Sequence, residues 1–185
     1  MGEQHKKHSR REHLNDFHLN VAGEYVYSGA LYACQNDDAK QRRIKRAVWG
    51  MAAILIVAVI AGGCIPAPGM QNCFYVLLPY LGEFLGAASV IWALAKLGMD
   101  WGTVREYNYK KSVAVLPVRT AVTAVFSLLG IVCELIFFFV NDHAGQTFFA
   151  LLYVLLKLIA LLSVLVLRAE IMQAEWDKLP KKNNF

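Results

Sequence analysis

From residue 47 to residue 82 the chain carries no charged side chain. A run of that length is too long for one helix buried in a soluble core, so a bilayer is its natural solvent. Composition agrees: 57% of the 185 residues are hydrophobic and only 18% are charged. A soluble domain of this size needs more charge than that to cover its surface.

Four apolar segments stand out, at about 47–65, 74–97, 116–140 and 147–167. Each is near the ~20 residues needed to span a bilayer. The fold class that follows is an all-α membrane protein, a four-transmembrane-helix bundle. The first 46 residues are polar and show no secretory signal peptide, so the first span is expected to serve as its own insertion signal.

The segments between and around the spans differ in character. Residues 1–16 are charged and lack apolar periodicity, which describes a mobile basic tail. Residues 17–46 form a cytoplasmic juxtamembrane segment. Within it Phe17, Leu19 and Val21 alternate with polar residues, then Ala22-Gly23 and a run of tyrosines follow. This pattern fits a β-hairpin; it also fits a loop whose tyrosines rest at headgroup level. Three of the four residues from Glu24 to Tyr27 recur at 106–109, a match that coincidence explains better than an internal repeat. Residues 47–167 form the membrane domain, and 168–185 a cytoplasmic C-terminal helix end and tail. Met172, Trp176 and Leu179 stand at i, i+4 and i+7, so helix four is expected to continue past the lipid until Pro180.

Charge fixes the expected orientation. Of the 19 Lys and Arg, nine precede the first span, five lie between Lys96 and Arg119, and four follow from Arg168. The other two loops carry none, and Lys157 lies inside a span. By the positive-inside rule the termini and the middle loop face the cytoplasm of a plasma-membrane protein. Arg42, Arg43, Lys45 and Arg46 sit just before the first span and are expected to hold anionic lipid headgroups.

Three ionisable residues lie within the spans: Glu83, Glu134 and Lys157. At ~1.5 Å per residue they fall ~9–15 Å below the outer helix ends, so they can meet. A charge facing lipid there costs at least ~2.5–3.5 kcal/mol, which favours inward positions. Thr120, Thr123, Ser127, Gly130 and Glu134 share one face of helix three, and Gly82, Gly86, Ser89 and Ala93 form a small-residue stripe on helix two. The cluster can serve an ion- or proton-coupled path, or it can fix which helices pair. The long stem of Lys157 also allows it to snorkel.

Cys64 and Cys73 flank the outer loop and are placed for a disulfide, while Cys34 is expected to be reduced. No Cys-x-x-Cys is present, which argues against a thiol–disulfide enzyme. The tail histidines His5, His8, His13 and His18 match no metal-ligand spacing. No phosphate-binding glycine loop or catalytic constellation appears. No cofactor, metal or nucleic-acid partner is expected. The first reading is therefore a non-enzymatic accessory, regulatory or interaction module that binds another membrane protein or itself as a homodimer. The alternative is a minimal ion- or proton-coupled transporter or channel built on Glu83, Glu134 and Lys157.

The orientation makes a direct prediction. After mild reduction, an impermeant thiol reagent applied to intact cells labels Cys73 and spares Cys34. Labelling of Cys34 from outside would reverse the assignment.

Overall fold

The computed structural model describes residues 17–19, 23, 25–27, 29–98, 101–141 and 147–179. The basic tail 1–16, most of the loop between the last two spans and the chain from Pro180 onward lie outside the described residues, and with them His5, His8 and His13.

Six helices and five short strands make up the described fold. The helices are α1 (Asp38–Cys64), α2 (Pro68–Asn72), α3 (Phe74–Leu97), α4 (Glu106–Lys111), α5 (Leu116–Val140) and α6 (Thr147–Met172). Four of them, α1, α3, α5 and α6, are long and apolar enough to cross a membrane. α1 takes in the basic run before the apolar segment, so at ~1.5 Å per residue it is ~40 Å long and outreaches a hydrocarbon core of ~30 Å. It ends before Pro66, because Ile65 is forced into extended backbone (φ −81°, ψ 132°). Pro68 opens α2 and Pro117 lies in the first turn of α5, positions where a missing N–H is tolerated. Gly98 ends α3 at φ 73°, with its N–H donating to the Leu94 carbonyl.

The bundle is apolar outside and partly polar inside. Phe139, Phe148, Leu85, Val118 and Leu151 are exposed along the helices, whereas Glu83, Thr120, Thr123, Ser127, Glu134 and Lys157 are buried. That inversion is what lipid as a solvent selects. α1 packs mainly on α6, α6 on α5, and α5 on α3, with a lighter contact between α3 and α1. α3 and α6 therefore face each other across the diagonal. Gly86 lets α3 and α5 approach: a Cβ there would fall 2.6 Å from Thr123 Oγ1.

One end of the bundle is closed by strands. β1 (Phe17–Leu19) and β2 (Tyr25–Tyr27) form an antiparallel hairpin in the register Phe17↔Tyr27, with Gly23 at φ 78° in the turn region. β3 (Leu31–Cys34), β4 (Thr103–Arg105) and β5 (Trp176–Lys178) form a second antiparallel sheet in the order β4-β3-β5. Tyr32 stands opposite both Val104 and Lys178. Backbone bonds extend the pairing: the Glu106 N–H donates to Ala30 O at 3.0 Å, Gln35 to Glu175 O at 2.9 Å and Leu179 to Leu31 O at 2.8 Å. The N-terminal segment, the middle loop and the C-terminal tail thus meet at the same end of the bundle.

One expectation is corrected here. α6 stops at Met172, and Trp176 and Leu179 belong to a strand and its continuation, not to a helical stripe. Both edges of β3 were open to pairing, and the second is filled by Trp176–Lys178. The echoed tetrapeptides also differ in conformation, since Tyr25–Tyr27 is a strand and 106–109 opens α4, so they do not mark a structural repeat.

Aromatic rings join the sheet to the bundle. Tyr32 stacks on Tyr109 with centroids 4.1 Å apart, and Trp176 lies 6.1 Å from both Trp101 and Tyr109. Buried Trp101 and Val104 continue into a core with Ile44, Val48, Leu94, Leu116 and Ile171. Trp176→Ala removes one hub of this arrangement. It should lower stability by ~2 kcal/mol, less than full burial would imply because the ring is only partly enclosed. Thermal unfolding in detergent should register the loss, together with faster tryptic cleavage after Lys178. An unchanged cleavage rate would mean the tail is held by its backbone bonds alone.

Candidate functional site

The buried polar residues of the bundle gather around Lys157. α6 carries it at the bundle diagonal, and its Nζ pairs with Glu83 Oε2 on α3. Both side chains are buried, with 2% and 0% exposure. The second carboxylate oxygen, Glu83 Oε1, accepts a hydrogen bond from Ser127 Oγ on α5 at 2.6 Å. The ammonium also lies 4.6 Å from the centre of the Tyr80 ring and 5.1 Å from that of Tyr153. Aromatic faces attract a desolvated cation, so these rings add to the carboxylate's hold.

The lysine stem packs on α5 at Gly130 as it crosses to Glu83. A Cβ placed on Gly130 would meet Lys157 Cε at 3.6 Å, so the stem runs over the glycine. Tyr80 is anchored by its hydroxyl, which donates to the Val59 carbonyl on α1 at 3.4 Å. All four spanning helices therefore contribute to one polar knot. The knot includes no snorkelling lysine, since a buried partner holds the amine.

The structure divides the expected group of three. Glu134 on α5 is fully buried, yet it makes no ion pair, and neither carboxylate oxygen makes a hydrogen bond of normal geometry among the described residues. It sits against the backbone of Gly69 in α2, the short helix between the first two spans. A Cβ on Gly69 would collide with the Glu134 carboxyl and come within 3.2 Å of the Phe137 ring. One ammonium serves one carboxylate, and the other is left under the loop. The Tyr153 hydroxyl is likewise buried without a partner among the described residues.

The hydroxyl stripe on α5 divides too. Thr120 Oγ1 donates to the Leu116 carbonyl at 2.9 Å, and Thr123 Oγ1 to the Arg119 carbonyl at 2.8 Å. Both are spent on their own helix, a usual fate for threonine in apolar surroundings. Only Ser127 reaches across. Pro79 lies inside α3, and the helix runs on through it to Leu97.

The remaining candidates lie elsewhere. Cys34, Cys64, Cys73 and Cys133 all carry free thiols, so the expected Cys64–Cys73 bond is not made here. At the sheet end, Arg42, Lys45 and Arg46 line a surface pocket with Trp49, whereas Arg43 points toward Glu170, 3.9 Å away. No group of three or more His, Cys, Asp or Glu is placed to hold a metal among the described residues.

Tyr80 is the contributor that sequence reasoning missed. Its signal was its place three residues before Glu83, on the same helix face. No family model fits the chain, and no curated protein or solved structure matches it.

The arrangement predicts a particular energetic signature. Lys157→Met leaves a buried carboxylate unpaired and should destabilise the protein by ~3–5 kcal/mol. Adding Glu83→Gln should recover much of that loss, because the two residues form one unit. Steric-trap or denaturant unfolding in bicelles reads the cycle. Strictly additive losses would dissolve the pair as an energetic unit.

Proposed function

We propose that this chain is a small non-enzymatic membrane protein of the plasma membrane, acting as an accessory or regulatory module that binds another membrane protein or a second copy of itself. The observation that carries this reading is the self-sufficiency of the polar knot. Lys157 is neutralised by Glu83, Glu83 is satisfied by Ser127, and the cation is walled by Tyr80 and Tyr153. Such a centre pairs its own charges and sets which helices are neighbours, with the Tyr153 hydroxyl beside it left without a hydrogen-bond partner among the described residues. The sheet β4-β3-β5 supports the reading from the other end. It gathers three segments into a platform, with Tyr25 exposed on the hairpin beside it. The distribution of Lys and Arg favours a cytoplasmic position for that platform, with both termini inside.

A second reading keeps one specific support. Glu134 is a buried carboxyl with no side-chain partner among the described residues, beneath the loop between the first two spans, and intramembrane carboxyls of this kind serve proton or cation pathways. In that reading the protein is a minimal ion- or proton-coupled transporter or channel, with Glu134 as the exchanging group and Glu83 and Lys157 as the wall behind it.

Two measurements separate the readings. Cross-linking and pull-down of the full chain from native membranes should yield a stoichiometric partner or a homodimer, and deletion of residues 17–34 should weaken the capture. In proteoliposomes the wild type should show no flux under a proton or cation gradient. A gradient-driven flux abolished by Glu134→Gln, in a variant that stays folded, would replace the first reading with the second.

A further inference from the structure

We propose that α1 carries a binding pocket for the phosphate-bearing headgroup of an anionic phospholipid, formed by Arg42, Lys45, Arg46 and Trp49 at the sheet end of the bundle. The pocket measures about 510 Å³ and is lined by these four side chains. That size suits a small ligand or a headgroup. It depends on the chain lying in a bilayer and on neither of the two functional readings above.

The spacing builds it. Residues 42, 45, 46 and 49 stand at i, i+3, i+4 and i+7, so they share one face of a helix. The Arg46 Nε donates to the Arg42 carbonyl at 3.4 Å, which folds the arginine back along the helix. Arg43, next in sequence, is rotated ~100° off this face, and its side chain, 74% exposed, is turned toward Glu170. Three cationic side chains and no carboxylate line this pocket, mostly with their aliphatic stems and the indole ring, which leaves the charged heads at its rim. Phosphate is the anion that such a guanidinium and ammonium set receives best.

Two further observations point to a lipid as the source of the phosphate. Trp49 completes the lining; its indole N–H is buried with no acceptor among the described residues, and its ring packs on the adjoining core. Tryptophan at this height marks the bilayer interface. Further down the same face, Val57 and Ile60 are 64% and 50% exposed. The stripe therefore runs from cations, through an amphipathic ring, to bare aliphatic surface. That sequence of chemistries is a phospholipid's own: phosphate, glycerol ester, acyl chain. A soluble phosphate or an acidic protein segment would make no use of the lower part.

The test uses the full-length protein in a neutral detergent, titrated with phosphatidylglycerol, phosphatidylcholine or inorganic phosphate, with occupancy read by native mass spectrometry. Phosphatidylglycerol should bind, and the double variant Lys45→Gln/Arg46→Gln should weaken it by about tenfold or more. Arg43→Gln removes one charge from the same turn but from another face, and should shift the affinity by less than about twofold. Phosphatidylcholine should bind weakly and to the same extent in all three proteins. Equal losses in Arg43→Gln and in the double variant would show diffuse attraction in place of a pocket. Inorganic phosphate binding as tightly as phosphatidylglycerol would overturn the lipid as its source, and so would an affinity the double variant leaves unchanged. The substituted side chains lie at the surface of α1, so folding is not at stake, and circular dichroism of each variant verifies it.

Discussion

A lysine and a glutamate placed where lipid should be the only solvent govern the rest of the bundle. Between apolar helices in lipid there is no hydrophobic drive toward any particular neighbour, since an acyl chain is as good a contact as a leucine. Selection must come from close approach and from polar groups that lack an alternative. Glu83 and Lys157 provide the second kind of selection across the diagonal, joining α3 to α6, and Ser127 brings in α5. Gly86 provides the first kind, beneath Thr123. Rotation of any of these helices would strand a charge in hydrocarbon, so one interaction sets the facing of several elements.

The two ends of the bundle solve a different problem. At one end basic side chains, aromatic rings and short strands make a boundary suited to headgroups and water. At the other, the loop between the first spans folds as α2 over a buried carboxyl, with Gly69 allowing the approach. The asymmetry is chemical as well as geometric: one end is cationic and hydrogen-bonded by strands, the other is uncharged loop over Glu134.

Much of this was legible in the sequence, for identifiable reasons. Spanning helices declare themselves by length alone, because lipid demands an unbroken apolar run whatever its period. The inward direction of Glu83, Ser127 and Lys157 could be read from helical spacing and from the penalty of exposing them. The hairpin around Gly23 followed from alternation and a turn residue. What could not be read was every feature that depends on a partner distant in the chain. β3, β4 and β5 hold three or four residues each, too few to show a period, and each becomes a strand only through the others. Trp176 and Leu179 mimicked a helical stripe because positions 176 and 179 suit both a helix and a short strand with its exit. The separation of Glu134 from Lys157 was hidden for a related reason: spacing gives depth and face, but not which of two carboxylates at similar depth the ammonium meets.

The order of strands β4-β3-β5 bears on how the molecule is made. The central strand is synthesised first, one neighbour follows after two spans, and the other comes from the last part of the chain. Contacts so distant in sequence form late, after a large loss of chain entropy. Until residues 176–178 emerge from the ribosome, Leu31–Cys34 has an unfilled edge, and open edges invite pairing with other chains. The membrane helices can be inserted and neighbouring while the sheet is still incomplete. Arrival of residues 176–178 is therefore the event that closes the fold, and a chain truncated before Trp176 would keep its spans in place and carry an open strand edge at the surface.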